Sequence, residues 1–232
     1  MPKVVAISGS PNGEKGATDR ILAALVEGMT DAGAYVQTYY PASMDIRPCT
    51  CGVMHCWYRR PGQCCIQDDM QEMYTTLVEA ETLVLATPVY IPLPAAMQSF
   101  INRMCPLIVP RLETRDGRTR ARFRDGVSIS RIALVSTGDW WEMGNFGTVA
   151  RIAEELAENA SVPFAGAVLR PHVFLMWRDG ALTPEGETVL AAVRSAGREL
   201  VRDGVMKDET LERVARPLIS REELIALYNR WV

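Results

Sequence analysis

Five of the six cysteines in this chain fall within residues 49–65: Cys49, Cys51, Cys56, Cys64 and Cys65. Cysteines used only as packing scatter along a sequence. Thiols crowded into one loop hold a metal or cluster, or cycle between dithiol and disulfide. Three chemistries match the set. Four thiolates, Cys49, Cys51, Cys56 and Cys64, are the number a 4Fe–4S cluster requires. A redox dithiol involving Cys64 and Cys65 is the second reading. Zinc is the third, because the ligand type suits it but the spacing lacks paired C-x2–4-C knuckles. His55 reads as a loop histidine rather than a ligand, and Cys105, inside an apolar helical pattern, as core.

A second chemical segment follows the first apolar run. Ser8-Gly9-Ser10-Pro11-Asn12-Gly13-Glu14-Lys15-Gly16-Ala17-Thr18 sets hydroxyls, glycines and free backbone N–H groups ahead of a helix, which suits a phosphate. The bland alternative is a polar turn before a capped helix. The spacing is neither G-x-G-x-x-G nor G-x-x-x-x-G-K-[ST], which argues against a dinucleotide dehydrogenase and against an NTPase. His55 and His172 are the only histidines, so acid–base catalysis by histidine is not expected.

These loops need a frame, and the apolar pattern supplies one. Lys3–Ile7, Tyr35–Tyr39, Thr82–Ala86, Arg131–Val135 and Ala165–Leu169 read as strands. Helical spacing runs from Thr18 through Ile21, Leu22, Leu25, Val26 and Met29 to a stop at Ala32-Gly33. Asp68-Asp69 suits a helix start. Ala96, Met97, Phe100, Ile101 and Met104 form a further helical face, and another helix covers Thr148–Asn159. Thr183-Pro184 starts one that reaches about Arg202. Strands alternating with helices imply an α/β fold with a parallel sheet covered on both faces. Five strands in this order suit a flavodoxin-like, doubly wound arrangement over residues 1–205, with residues 206–232 as a helical tail. In that tail Ser220-Arg221-Glu222-Glu223 is a capping box. Leu224, Leu227, Tyr228 and Trp231 then form an apolar stripe that docks on the protein's own core or on a second subunit.

In such a sheet the loops after strands one, three and four meet at the switch-point crevice. The last two are Thr87-Pro88-Val89-Tyr90-Ile91-Pro92 and Ser136-Thr137-Gly138-Asp139-Trp140-Trp141. One loop suits a phosphate, and the other two suit a flat ring. For Trp140 and Trp141, core packing and ring contact stand level.

Ile7-Ser8-Gly9-Ser10-Pro11, Gly16-x-Thr18 and Thr87-Pro88-Val89-Tyr90 resemble the FMN-binding loops of the NADPH-dependent FMN reductase group of flavodoxin-like proteins. Ser99-Phe100-Ile101-Asn102-Arg103 resembles the segment those proteins carry after the third strand. Pro48-Cys49 through Gly62-Gln63-Cys64-Cys65-Ile66-Gln67-Asp68-Asp69-Met70 resembles the cysteine loop of the iron–sulfur flavoprotein branch. The resemblance implies that Ser8, Ser10, Pro11, Asn12 and Thr18 surround the FMN phosphate. It places Pro88, Val89 and Tyr90 beside the isoalloxazine, with Ser136, Thr137, Gly138 and Asp139 closing the other side. It implies a 4Fe–4S cluster on Cys49, Cys51, Cys56 and Cys64, NAD(P)H as electron donor, a small redox partner and a homodimer or homotetramer. It assigns no catalytic side chain. Two positions depart from the family. Ala17 stands where an Asn often precedes the loop threonine, and Cys51 is out of register, since the second family cysteine would fall near Gly52 or Val53.

Composition bounds the alternatives. The chain has 232 residues, 48% hydrophobic and 23% charged, with a net charge of −3, which suits one well-cored globular domain with appendages. Faint acidity gives no reason to expect nucleic acid or an anionic membrane as partner. The apolar run at Val4–Ile7 is too short for a signal peptide, and no segment approaches the ~20 apolar residues of a membrane span. A cytosolic protein is expected, and there a structural disulfide framework is not. Residues 111–131 hold seven arginines, with Asp116-Gly117 as a hairpin turn. A solvated excursion is the preferred reading, and contact with a nucleotide 2′-phosphate or an acidic carrier is the sharper one.

Overall fold

The computed structural model describes residues 1–52 and 55–230. Its centre is a five-stranded parallel sheet in the order β2-β1-β3-β6-β7. The strands are β1 (Lys3–Ser8), β2 (Tyr35–Tyr39), β3 (Thr82–Pro88), β6 (Arg131–Thr137) and β7 (Phe164–Arg170). All five expected strands are present in doubly wound order. Strand β1 is buried almost throughout because its side chains serve two cores. Val4 and Ala6 pack with α1 (Ala17–Asp31) and α5 (Pro184–Arg202). Val5 and Ile7 pack with α2 (Met70–Glu79), α3 (Ala95–Asn102) and α4 (Gly147–Ala160). A near-continuous apolar run is what a strand covered on both faces requires.

Helix α1 is held close to α5. A Cβ added to Gly28 would lie 2.0 Å from the Arg194 carbonyl oxygen, and one added to Gly197 would lie 2.2 Å from that of Leu25. Backbone therefore meets backbone, which fixes the helix whose N-terminus follows the Ser8–Thr18 loop. Helix α5 starts as its sequence implies: Thr183 Oγ1 accepts from the Gly186 N–H at 3.0 Å, with Pro184 in the first turn.

Strands β4 (Ile108–Arg115) and β5 (Arg118–Phe123) form a separate antiparallel hairpin. Its turn places Asp116 and Gly117 at φ 51° and 72°, the left-handed pair a two-residue turn needs. The hairpin is not a freely solvated excursion, because it lies on α4. Arg118 Nη1 reaches Glu155 at 2.7 Å, and Arg120, 8% exposed, reaches Glu155 at 3.0 Å and also pairs with Glu158.

The expected helix through Met104 ends at Asn102, and Cys105 opens a short 3-10 turn instead. Cys105 is half-buried, not a core residue. The tail forms α6 (Asp208–Ala215) and α7 (Arg221–Tyr228). The Ser220–Glu223 capping box is formed in both directions. Val214 and Leu224 are buried against the same protein, while Trp231 lies outside the described residues.

Candidate functional site

The carboxyl ends of β1, β3 and β6 open into one crevice, because β1 is flanked by β2 on one side and β3 on the other. Its polar compartment, about 220 Å³, is lined by Ser10, Pro11, Asn12, Ala17 and Thr18 from the first loop and α1. Pro88, Val89 and Tyr90 line it from the second loop, Thr137, Gly138 and Asp139 from the third, and Val173 from the turn after β7. The loop is braced from inside. The Asn12 N–H donates to Ser10 Oγ at 3.3 Å, and the hydroxyls of Thr18 and Thr137 share a hydrogen bond of 2.7 Å. That last contact ties the first turn of α1 to the end of β6.

A larger, more apolar compartment of about 460 Å³ adjoins it and shares Val89, Tyr90, Gly138 and Asp139. Ile91, Trp140, Asn145 and Phe146 complete its wall. Trp140 is 68% exposed, so it borders the crevice mouth rather than the core. Trp141 is half-buried, and its Nε1 donates to the Ile219 carbonyl at 3.1 Å. Asp139 is open to solvent at the mouth, yet the surrounding walls desolvate its carboxyl enough to raise it above the usual range.

Two residues expected at the cofactor lie beneath the crevice floor. Ser8 is fully buried, and Ser136 Oγ donates to the Thr87 carbonyl at 2.9 Å. Neither lines the crevice. Below the loop, burial raises the Asp19 carboxyl. Burial and then the Asp19 charge push the Tyr40 phenol up to about 12. Sequence reasoning gave no role to Asn145, Phe146 or Val173. They reach the wall from turns after β6 and β7, and no motif marks them.

The crevice fits a flavin mononucleotide. A Cβ added to Gly16 would sit 2.3 Å from Ser10 Oγ, so the loop keeps a cradle that any side chain would fill. Hydroxyls and a helix N-terminus suit the phosphate, and the apolar compartment suits a flat ring.

The cysteine loop lies on the α2–α3 flank. Arg103 and Asp68, 1% and 0% exposed, pair there at 2.6 Å. Arg103 also donates to the Arg47 carbonyl at 2.7 Å, so it staples both ends of the loop. Trp57 Nε1 donates to the Cys105 carbonyl at 2.9 Å. Cys49 Sγ and Cys51 Sγ are 4.0 Å apart. The Cys51 thiol is pushed up to about 12, first by its bond with Cys65 and then by burial. The Cys56 thiol is pushed up to about 11, first by burial and then by Cys105. Cys105 thus stands among the thiols rather than apart from them. Thiolates are the donors a cluster takes, and among the described residues no three Cys, His, Asp or Glu side chains converge on one metal position.

The base of the Arg-rich hairpin touches the cysteine loop, where Arg124 Nη2 donates to the Cys56 carbonyl at 3.4 Å, but the hairpin runs away from the crevice. Its tip borders a cleft of about 250 Å³ with Ser161, Val162 and Pro163, just ahead of β7 and so at the opposite end of the sheet.

The sheet order and the crevice define a flavodoxin-like α/β protein. Residues 2–125, just over half the chain, match the family described as NADPH-dependent FMN reductase, and the chain belongs to that family. An iron–sulfur flavoprotein of Archaeoglobus fulgidus is 35% identical over 106 residues, covering 45% of this chain and 46% of that protein. One from Methanosarcina thermophila is 32% identical over 104 residues, covering 44% and 51%. The chain spans about half the length of the curated relatives it matches. Among solved structures, an NAD(P)H:quinone oxidoreductase from Methanothermobacter marburgensis superimposes with a TM-score of 0.61 at 16% identity, covering 86% of this chain and 97% of the other. An FMN-dependent NADH-azoreductase from Bacillus anthracis str. Ames Ancestor, in complex with FMN, gives 0.59 at 11% identity, covering 87% and 100%. At these identities the two structures establish the fold alone.

Proposed function

We propose that this chain is an FMN-dependent oxidoreductase that takes electrons from NAD(P)H and passes them to a second acceptor. The observation that carries the reading is the single crevice uniting the Ser10–Thr18 loop with Pro88–Tyr90 and Thr137–Asp139. Ser10, Thr18 and the backbone N–H groups between them hold the phosphate. Val89, Tyr90 and Trp140 flank the ring and exclude water from it. Bound FMN supplies the interchange between two-electron and one-electron chemistry, and the protein supplies position and electrostatics. Titrating apo-protein with FMN, then adding NADPH without oxygen, tests the reading. Saturable binding followed by bleaching of the flavin bands is expected. A protein that binds no FMN overturns the reading, and a flavin that NAD(P)H does not bleach reduces it to a pure electron carrier.

The finer reading adds a 4Fe–4S cluster on Cys49, Cys51, Cys56 and Cys64. Thiol number and the description of the curated relatives support it. Iron and sulfide analysis of anaerobically purified protein is the test. Flavin bands with neither element present favour the alternative, a cluster-free NAD(P)H-dependent flavin or quinone reductase with redox thiols. Tyr90, Ile91, Trp140 and Met143 expose apolar surface around the mouth, which supports a homo-oligomer whose second copy covers it. A monomer by sedimentation would remove that part.

A further inference from the structure

The third loop of the crevice, Gly138–Glu142, lines it through Gly138, Asp139 and Trp140 and has little support from the sheet, because β6 ends at Thr137. It also lies beyond the segment that matches the family. The tail supports it from behind. At the root, the buried Arg170 guanidinium donates through Nη1 to the carbonyls of Val214 at 2.6 Å and Arg216 at 2.9 Å. The backbone carbonyl of the same residue accepts from the Gly138 N–H at 3.1 Å. One residue therefore grips both the tail and the wall.

Further along, the Leu218 N–H donates to His172 Nε2 at 3.1 Å. His172 is fully buried in a left-handed conformation at φ 34°. Burial, and then the Arg170 cation, push its pKa down to about 4, which keeps the accepting nitrogen unprotonated. Val173, the next residue, donates its N–H to the Gly138 carbonyl at 3.1 Å and lines the crevice. Trp141 gives its N–H to Ile219, and Arg221 Nε donates to Glu142 Oε1 at 2.7 Å while its guanidinium covers the Trp141 ring at 5.8 Å. Finally Tyr228 packs edge-on against Phe174 at 5.8 Å. Over Val214–Tyr228 the tail meets the Gly138–Glu142 segment directly through Ile219 and Arg221, and otherwise grips Arg170, His172 and Phe174, the stretch whose backbone bonds Gly138.

We propose that Arg216–Tyr228 is a strap that fixes the Gly138–Glu142 wall of the cofactor crevice, with His172, Trp141 and Arg221 as its positioning residues. The proposal rests on the FMN reading above. It assigns the tail to the cofactor site in addition to the core on which Val214 and Leu218 pack.

The test is FMN binding by the full chain and five variants, read as the dissociation constant and as the visible circular dichroism of the bound flavin. Thermal midpoints of the apo-proteins are measured alongside. Trp141→Phe keeps the ring but loses the N–H. Arg221→Glu and Glu142→Arg each break the ion pair, and the double variant restores it in reverse. Ending the chain after Pro217 removes the strap beyond its root at Arg216 and Pro217. Truncation is expected to weaken FMN binding by about tenfold or more and to change the flavin dichroism. Each charge reversal is expected to weaken binding about two- to fivefold, with the double variant recovering it. If the truncated chain does not fold, the three single variants decide. Unchanged affinity and dichroism in all of them overturns the strap, as does affinity loss that merely follows the fall in apo-protein midpoint. Failure of the unaltered chain to bind FMN overturns the functional reading instead.

Discussion

Gly16→Ala separates the cradle from the fold. Gly16 sits at φ −73° and ψ 151°, where an alanine is at home, so no backbone strain is introduced. The added methyl acts only through space. It would lie 2.3 Å from Ser10 Oγ, 3.2 Å from the Gly13 carbonyl oxygen and 3.4 Å from Asn12 Cβ. The first contact cannot persist, and Ser10 has one torsion with which to respond. Its hydroxyl must leave the position where it accepts from the Asn12 N–H. The loop then loses that brace, and the cradle loses one hydroxyl facing a charged ligand. A hydrogen bond to a charged group is worth about 1.5–3 kcal/mol, so FMN affinity should fall roughly 10- to 100-fold. Fluorescence titration of apo-protein with FMN reads this directly. Riboflavin, which lacks the phosphate, supplies the control and should lose far less. The Gly9→Ala change gives the contrast, since its methyl would lie 2.7 Å from Met97 Cβ in the core and should lower the thermal midpoint first. Equal losses for FMN and riboflavin in Gly16→Ala, or no loss for either, would refute the assignment of this loop to the phosphate.

Asp68→Asn leaves Arg103 buried without its counter-charge, which costs about 3–5 kcal/mol when one partner of such a pair is removed. Urea unfolding should show a lowered midpoint together with faster thiol labelling in residues 49–65, and unchanged labelling would detach the pair from the cysteine loop. His172 has a folded pKa of about 4 against an ordinary 6.5, with Arg170 as the charged group beside it. The folded state therefore binds fewer protons than the unfolded one between those values. Stability is full above pH 6.5 and falls by about 3 kcal/mol as the pH drops to 4. His172→Gln should flatten that slope in urea melts at pH 7 and pH 5, and an identical slope would show that other groups set it. Arg118→Ala should leave the Michaelis constant for NADPH unaltered, because Arg118 pairs with Glu155 at the far end of the sheet. A several-fold rise would restore the nucleotide-phosphate role for the hairpin.

What was legible in the sequence is what depends on local pattern. Val4–Ile7 reads as a buried strand because both its faces are covered, and the structure pairs it with β2 and β3 as the doubly wound order requires. Pro88–Tyr90 could be placed beside the first loop from topology alone, since parallel strands bring their carboxyl ends together. What was not legible depends on contacts distant in the chain. Nothing in Ser8 or Ser136 announces that one turns beneath the loop while the other bonds Thr87. Nothing in Arg118 or Arg120 announces that Glu155 and Glu158 will pair with them. Cys105 reads as core because its neighbours are apolar, yet the chain leaves α3 three residues earlier and turns it toward Cys56. The tail shows the same limit most plainly. Its capping box and apolar stripe predict a helix that docks somewhere. Where it docks is decided by Arg170 and His172, a buried guanidinium and a buried neutral imidazole whose positions in sequence carry no motif. Among the described residues neither forms an ion pair with a carboxylate, and burying such groups is costly unless another segment supplies partners, as the tail does with two carbonyls for Arg170 and one N–H for His172. The strap's path past the crevice wall follows from that requirement.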